Sequence, residues 1–243
     1  MKGEELTLDN TWSLIEQGRF GEAYKSATEE YEKTGSYRIL GNRAISLKLL
    51  KDYKGALHDY LTILNAVDQF YINNKNYNDN LINKGDGEYI DVGVAYWLLS
   101  DYQQALKMWI YSMTLRLRFT SNIMIPPCIV YFAGVYLNDL KTVKEAKKYI
   151  KKRYKKTIPL GRFLLDEINE EELLKEIKPD SPLKERTLCK YEFYIASKRL
   201  EQGDRADFVE HLKRCRDAKG KYLEFEYFLA VGELDKMIIE RLK

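Results

Sequence analysis

The chain has 243 residues, 45% of them hydrophobic, with 40 basic against 37 acidic side chains and a formal net charge of +3. That length is ample for burying a core and that composition excludes wholesale disorder, while so even a charge balance gives no general pull towards nucleic acid. Five prolines are few for a loop-rich β-protein, and no uncharged apolar run of about 18 residues is present to span a membrane. The three cysteines, Cys128, Cys189 and Cys215, are odd in number and far apart. They read as buried reduced thiols and not as a disulfide framework. The opening MKGEELTLDNTW has no apolar signal-peptide core, so the expectation is a soluble protein of the cytoplasm.

Along the chain, one phrase recurs. Residues 50–60 read LKDYKGALHDY and residues 99–109 read LSDYQQALKMW. Aligned on Ala56 and Ala105, each has a small residue twelve positions earlier, Ala44 or Gly93, and an aromatic four positions later, Tyr60 or Trp109. Apolar residues recur between them at helical spacing. The pattern predicts two antiparallel helices that cross where side chains are small, with Asp52 or Asp101 capping the second helix. The aromatic is expected to fill the space towards the next hairpin. One such hairpin leaves an apolar face uncovered, so hairpins must stack.

The clearest copies are 38–65 and 87–113. Degenerate copies lie at 7–33 (Thr11, Gly18, Ala23), at 128–155 (Gly134, Ala146, Ile150) and at 190–217, where Phe208 replaces the alanine. From Ala23 to Ala56 is 33 residues; from Ala56 to Ala105 is 49. The difference is assigned to an Asn- and Gly-rich exposed loop at 73–87. Residues 156–189 predict two short helices, the second starting at Asn169-Glu170-Glu171-Glu172, then a Pro-containing bend. Residues 221–243 are expected to form capping helices. The fold class expected is all-α: a single domain, 1–243, of about ten to twelve helices stacked as hairpins.

These residues resemble the tetratricopeptide repeat family, whose pattern has a small residue, a turn, an alanine and an aromatic. The resemblance implies a right-handed superhelical solenoid that binds protein through a concave face lined by each hairpin's first helix. It places Arg38, Asn42 and Lys48 on that face, followed by Asp91 and Trp97, then Tyr131, then Phe193 and Tyr194. Aromatic and Arg residues are the usual anchors of an interface core; the structural alternative for Trp97 and Phe193 is burial against neighbouring helices. One subgroup clamps the C-terminal carboxylate of chaperones with Lys, Asn and Arg. Here only Asn42 matches, and the other clamp positions fall on Glu5, Asp9, Gly87 and Asp91, so that partner is disfavoured.

A second resemblance covers residues 87–234, through GEYIDVGVAYWLLSDYQQALKMW and CKYEFYIASKRLEQGDRADFVEHLKRCRDAKGKYLEFEYFLAVGEL. These look like tetratricopeptide-like immunity proteins of bacterial polymorphic and contact-dependent toxin systems. The resemblance implies binding to one cognate toxin domain and neutralising it.

Signs of catalysis are sparse. His211 and Cys215 are four apart, but a zinc site needs more ligands than they supply, and no third group orients them as a nucleophilic pair. Gly85-Asp86-Gly87 lacks the rest of a phosphate-binding loop. No enzyme, metal or cofactor is expected. The run KTVKEAKKYIKKRYKK, 141–156, has nine Lys or Arg in sixteen residues. It reads first as a solvated helix face with Val143, Ala146, Ile150 and Tyr154 turned inward. An acidic protein partner is the next reading, and nucleic acid, held by lysines and stacked tyrosines, the third.

Overall fold

A computed structural model describes residues 10–73, 86–114, 125–153 and 158–241. Glu5, Asp9, Tyr154 and most of the 73–87 segment lie outside them. Among the described residues the chain is all-α, with thirteen α-helices, one short 3-10 turn and no strand. It divides into two compact units, Met1–Tyr77 and Asn78–Lys243.

The first unit holds α1 (Asn10–Glu16), α2 (Phe20–Thr34), α3 (Tyr37–Leu49) and α4 (Tyr53–Asn73), each packed on the next. Ala23, Ala27, Ala44 and Ala56 are all fully buried, so the small residues lie inside, where the repeat pattern places the helix crossings. A paired charge ties the unit together. The Arg43 guanidinium donates to both oxygens of the buried Asp59 carboxylate, Nε to Oδ2 at 2.8 Å and Nη2 to Oδ1 at 2.6 Å. Its other side faces the Tyr31 ring, 5.3 Å from the centroid.

The second unit begins with α5 (Asp86–Leu98) and α6 (Tyr102–Thr114), then α7 (Ile125–Tyr136) and α8 (Leu140–Arg153). Two short helices follow, α9 (Pro159–Leu164) and α10 (Glu170–Lys175). The latter opens on a capping box in which the Asn169 side chain accepts from the Glu172 N–H and Glu172 accepts from the Asn169 N–H. A hairpin of α11 (Lys184–Glu201) and α12 (Arg205–Asp217) comes next, then a 3-10 turn at Lys221–Leu223 and a single C-terminal helix, α13 (Phe225–Arg241).

The recurring phrase is a helix stop. At 51, 100 and 138 a non-glycine residue takes a left-handed φ, and Gly18 and Gly203 do so in the other copies. The next residue's N–H then reaches back five positions: Asp52 to Leu47 O, Asp101 to Tyr96 O, Asp139 to Gly134 O, Asp204 to Arg199 O, all 2.8–2.9 Å. These bonds satisfy carbonyls that a helix end leaves open. The same aspartates start the following helix, accepting the N–H of Gly55, Gln104, Thr142 and Asp207. One residue type thus serves both sides of the turn.

Two details differ from the sequence reading. The cap of the 128–155 copy is Asp139, so Val143, and not Ala146, stands four residues beyond it. Gly134 meets Val143, where a Cβ would lie 2.9 Å from the Val143 backbone nitrogen. The aromatic four residues after the alanine also packs back on its own hairpin. Trp109 lies over Gly93, whose Cβ would be 2.2 Å from the indole nitrogen, and that N–H donates to Ile90 O at 3.1 Å. The reason is helical periodicity: Ala105 and Trp109, four apart, share one face of α6.

Candidate binding surfaces

The helices that open the hairpins of the second unit, α5, α7 and α11, present the face on which a partner was expected. On α5 and α11, part of it is taken by the chain's own last helix. α13 packs on α5, α11 and α12. Gly232 sits against Leu98 so closely that a Cβ would be 2.4 Å from Leu98 Cδ2. Next to it Glu233, fully buried, accepts the Trp97 indole N–H at Oε1, 2.7 Å, and the Lys236 ammonium at 2.8 Å. Lys236 also reaches the Tyr102 hydroxyl at 3.2 Å and lies 4.9 Å from the Tyr102 ring centroid. Burial, and then the Glu233 charge, push the Tyr136 phenol well above its ordinary range.

This packing decides the site residues read from the sequence. Trp97 is 0% exposed and touches the rings of Tyr102, Trp109, Phe132 and Tyr136. Tyr131 and Phe193 are fully buried and Tyr194 nearly so. Side chains without exposed surface present nothing to a partner, so these four are corrected from interface anchors to core residues. Asp91, on α5, is half-buried. In the first unit, Arg38 is exposed and Asn42 half-buried, while Lys48 is 4% exposed with its ammonium 5.0 Å from the Tyr60 ring centroid.

On α13 and beneath it the core carries ionisable groups in unusual states. Glu226 is fully buried, and burial pushes its carboxyl up to about 8, beyond what the nearby Lys190 charge offsets. Burial likewise raises the thiols of Cys128 and Cys215. All three cysteines are free, with Cys189 and Cys215 Sγ atoms 3.3 Å apart. His211 is spoken for by the buried Glu192, Nδ1 to Oε2 at 2.6 Å. Among the described residues no three His, Cys, Asp or Glu side chains gather to hold a metal ion.

A second lattice of charges joins α8, α11 and the segment before α10. The Glu201 carboxylate receives Lys147, Lys198 and the Tyr131 hydroxyl at 2.8–2.9 Å. Burial alone would raise its pKa, but these three donors outweigh it and hold it below the usual value. Asp166 takes Lys198 at 2.7 Å and Lys147 at 3.7 Å, and Arg199 pairs with Glu170 and Asp207. A shallow cleft of about 560 Å³ lies over this lattice, lined by Asp166, Glu167, Glu170 and Arg199 among others.

The larger opening runs between α12 and α13, a groove of about 810 Å³. Leu200, Phe208 and Val209 line one side and Leu234, Met237 and Ile238 the other. Ile238 and Ile239 are 57% and 53% exposed. Arg205, Lys213 and Glu240 stand among the charged residues that line it. Phe208, the residue that breaks the alanine pattern, lines this groove with only 2% of its surface exposed, and the more open Val209 and Met237 supply the accessible apolar surface. Beyond that departure nothing along the chain signals it, because α12 and α13 belong to no common repeat.

In the basic run, Val143, Ala146 and Ile150 are buried, as the solvated-face reading expects. Among the described residues no helix is long and apolar enough to cross a membrane. Compared with known proteins, the chain matches no protein-family model and no curated sequence.

Proposed function

We propose that this chain is a non-enzymatic helical-repeat protein, tetratricopeptide-like in its hairpins, whose task is to hold a segment of another protein. The observation that carries the reading is the groove between α12 and α13, open, apolar on both walls and charged around them. An interface core of this kind excludes water around a few apolar anchors and leaves charges to set orientation. The groove replaces the face of α5, α7 and α11 as the docking surface. The most concrete form of the proposal is an immunity protein that neutralises a cognate toxin domain, on the resemblance of residues 87–234. A regulatory or scaffolding adaptor uses the same groove for a different occupant. Several of the buried ionisable groups are held by one another, His211 by Glu192 and Tyr131 and Lys198 by Glu201.

The test is calorimetric titration against the C-terminal domain of a secreted protein encoded beside this gene. Val209 and Met237 are half-buried groove residues, and changing both to Lys should lower affinity about thirtyfold or more, on the order of 2 kcal/mol, with the melting temperature preserved. Tight binding that ignores both substitutions moves the interface off the groove. No binding by the parent chain removes the immunity reading.

A further inference from the structure

The basic helix α8 has a face that the rest of the unit leaves uncompensated. Lys141, Lys144, Lys148, Lys151 and Lys152 are exposed, whereas Val143, Ala146 and Ile150 are buried on the opposite side. At 3.6 residues per turn the five lysines fall within about 100° of arc and along about 16 Å of helix. Among the described residues the neighbouring acids are spent elsewhere. Asp166 and Glu201 take Lys147, at the flank, and only Lys148 has a carboxylate near it, Glu145 at 4.0 Å. Lys141, Lys144, Lys151 and Lys152 carry no ion pair there. Five like charges in a row repel one another, at a cost that an anionic partner would remove.

We infer that this lysine stripe is a second docking surface, for an acidic helical segment of a protein partner. The inference rests on the protein-binding reading and adds the partner's chemistry. Two features select protein over nucleic acid. The stripe is straight and spaced three and four residues apart, which matches carboxylates on one face of a facing helix. Its described cations are all lysines, and Tyr149, the aromatic within this part of the run, is half-buried at the flank and not placed between them to stack on bases.

The probe is a fluorescein-labelled, Ala-rich helical peptide of about 20 residues with Glu at alternating three- and four-residue spacing, titrated with the full chain at about 50 mM and about 150 mM salt. A single-stranded dT oligonucleotide of about 20 nucleotides runs in parallel. The parent chain should bind the peptide at least about tenfold more tightly than the oligonucleotide. Changing Lys141, Lys144, Lys148, Lys151 and Lys152 together to Gln should lower peptide affinity about tenfold or more and flatten its salt dependence, at an unchanged melting temperature. The Val209 and Met237 groove variant should bind the peptide as the parent does, which separates failure of the stripe from failure of the groove. Peptide binding that is absent, or unchanged in the Gln variant, overturns the inference, and so does tighter binding of the oligonucleotide.

Discussion

The first helix of a hairpin meets two fates in this molecule. In the first unit, α3 keeps Arg38 exposed and Asn42 half-buried. In the second, α5, α7 and α11 place Trp97, Tyr131 and Phe193 on the face read as concave, and all three are fully buried, as Lys48 of α3, the repeat counterpart of Trp97, nearly is. The helical pattern is alike in both. What differs is the cover: on α5 it is α13, which lays Gly232 on Leu98 and Glu233 on the Trp97 indole, whereas Tyr131 of α7 meets Lys147 and Glu201. A repeat face becomes core when the chain supplies its own ligand, and an inner-face residue type read from sequence says nothing about which has happened.

Substitutions on these helices test how each is held. Trp97→Ala should have the largest effect, about 3–5 kcal/mol lost in chemical denaturation, since it empties a ring-lined site and removes one of the donors that hold the buried Glu233. Retained stability would mean that α13 does not depend on that contact. Glu226→Gln tests the same helix through pH. Its folded carboxyl is raised from 4.5 to about 8. The stability it contributes is therefore fully present below about 4.5 and is lost as pH rises towards about 8. The parent should weaken over that window in urea unfolding, and the Gln variant should lose that part of the fall. Equal slopes would place Glu226 in water.

Glycines separate the two units by sign. Gly93→Ala should destabilise by about 1–3 kcal/mol, because the new methyl collides with the Trp109 indole. Gly41, inside α3, would place its Cβ at 3.9 Å from Ile63 Cδ1, an ordinary contact. Gly41→Ala should therefore stabilise by about 0.5–1 kcal/mol, through helix propensity and a less free unfolded chain. Melts of the two variants that shift the same way would deny the distinction. Smallest of all, Arg38→Ala should stay within about 0.5 kcal/mol of the parent, as an exposed side chain does.

The features legible along the chain were local. Ala44, Ala56, Gly93 and Ala105 marked buried positions, Asp52 and Asp101 marked caps, and Asn169 with Glu172 marked a helix start. Each rests on physics within a few residues: side-chain volume, an orphan N–H, a 3.6-residue period. Where the copy was degenerate the register slipped, and Asp139 became legible as the cap only with the turn in view. The tertiary structure alone decided which faces stay open. Trp97 and Glu233 are 136 residues apart, and no periodicity links them. α13 follows the last hairpin yet packs on α5, because apolar surface is buried wherever the chain can bring it and the pattern of one helix does not name its neighbour. The α12–α13 groove exists for the same reason: Phe208, a fault in the repeat when read along the chain, stands in space opposite Leu234 and Met237 on a helix from outside the repeat.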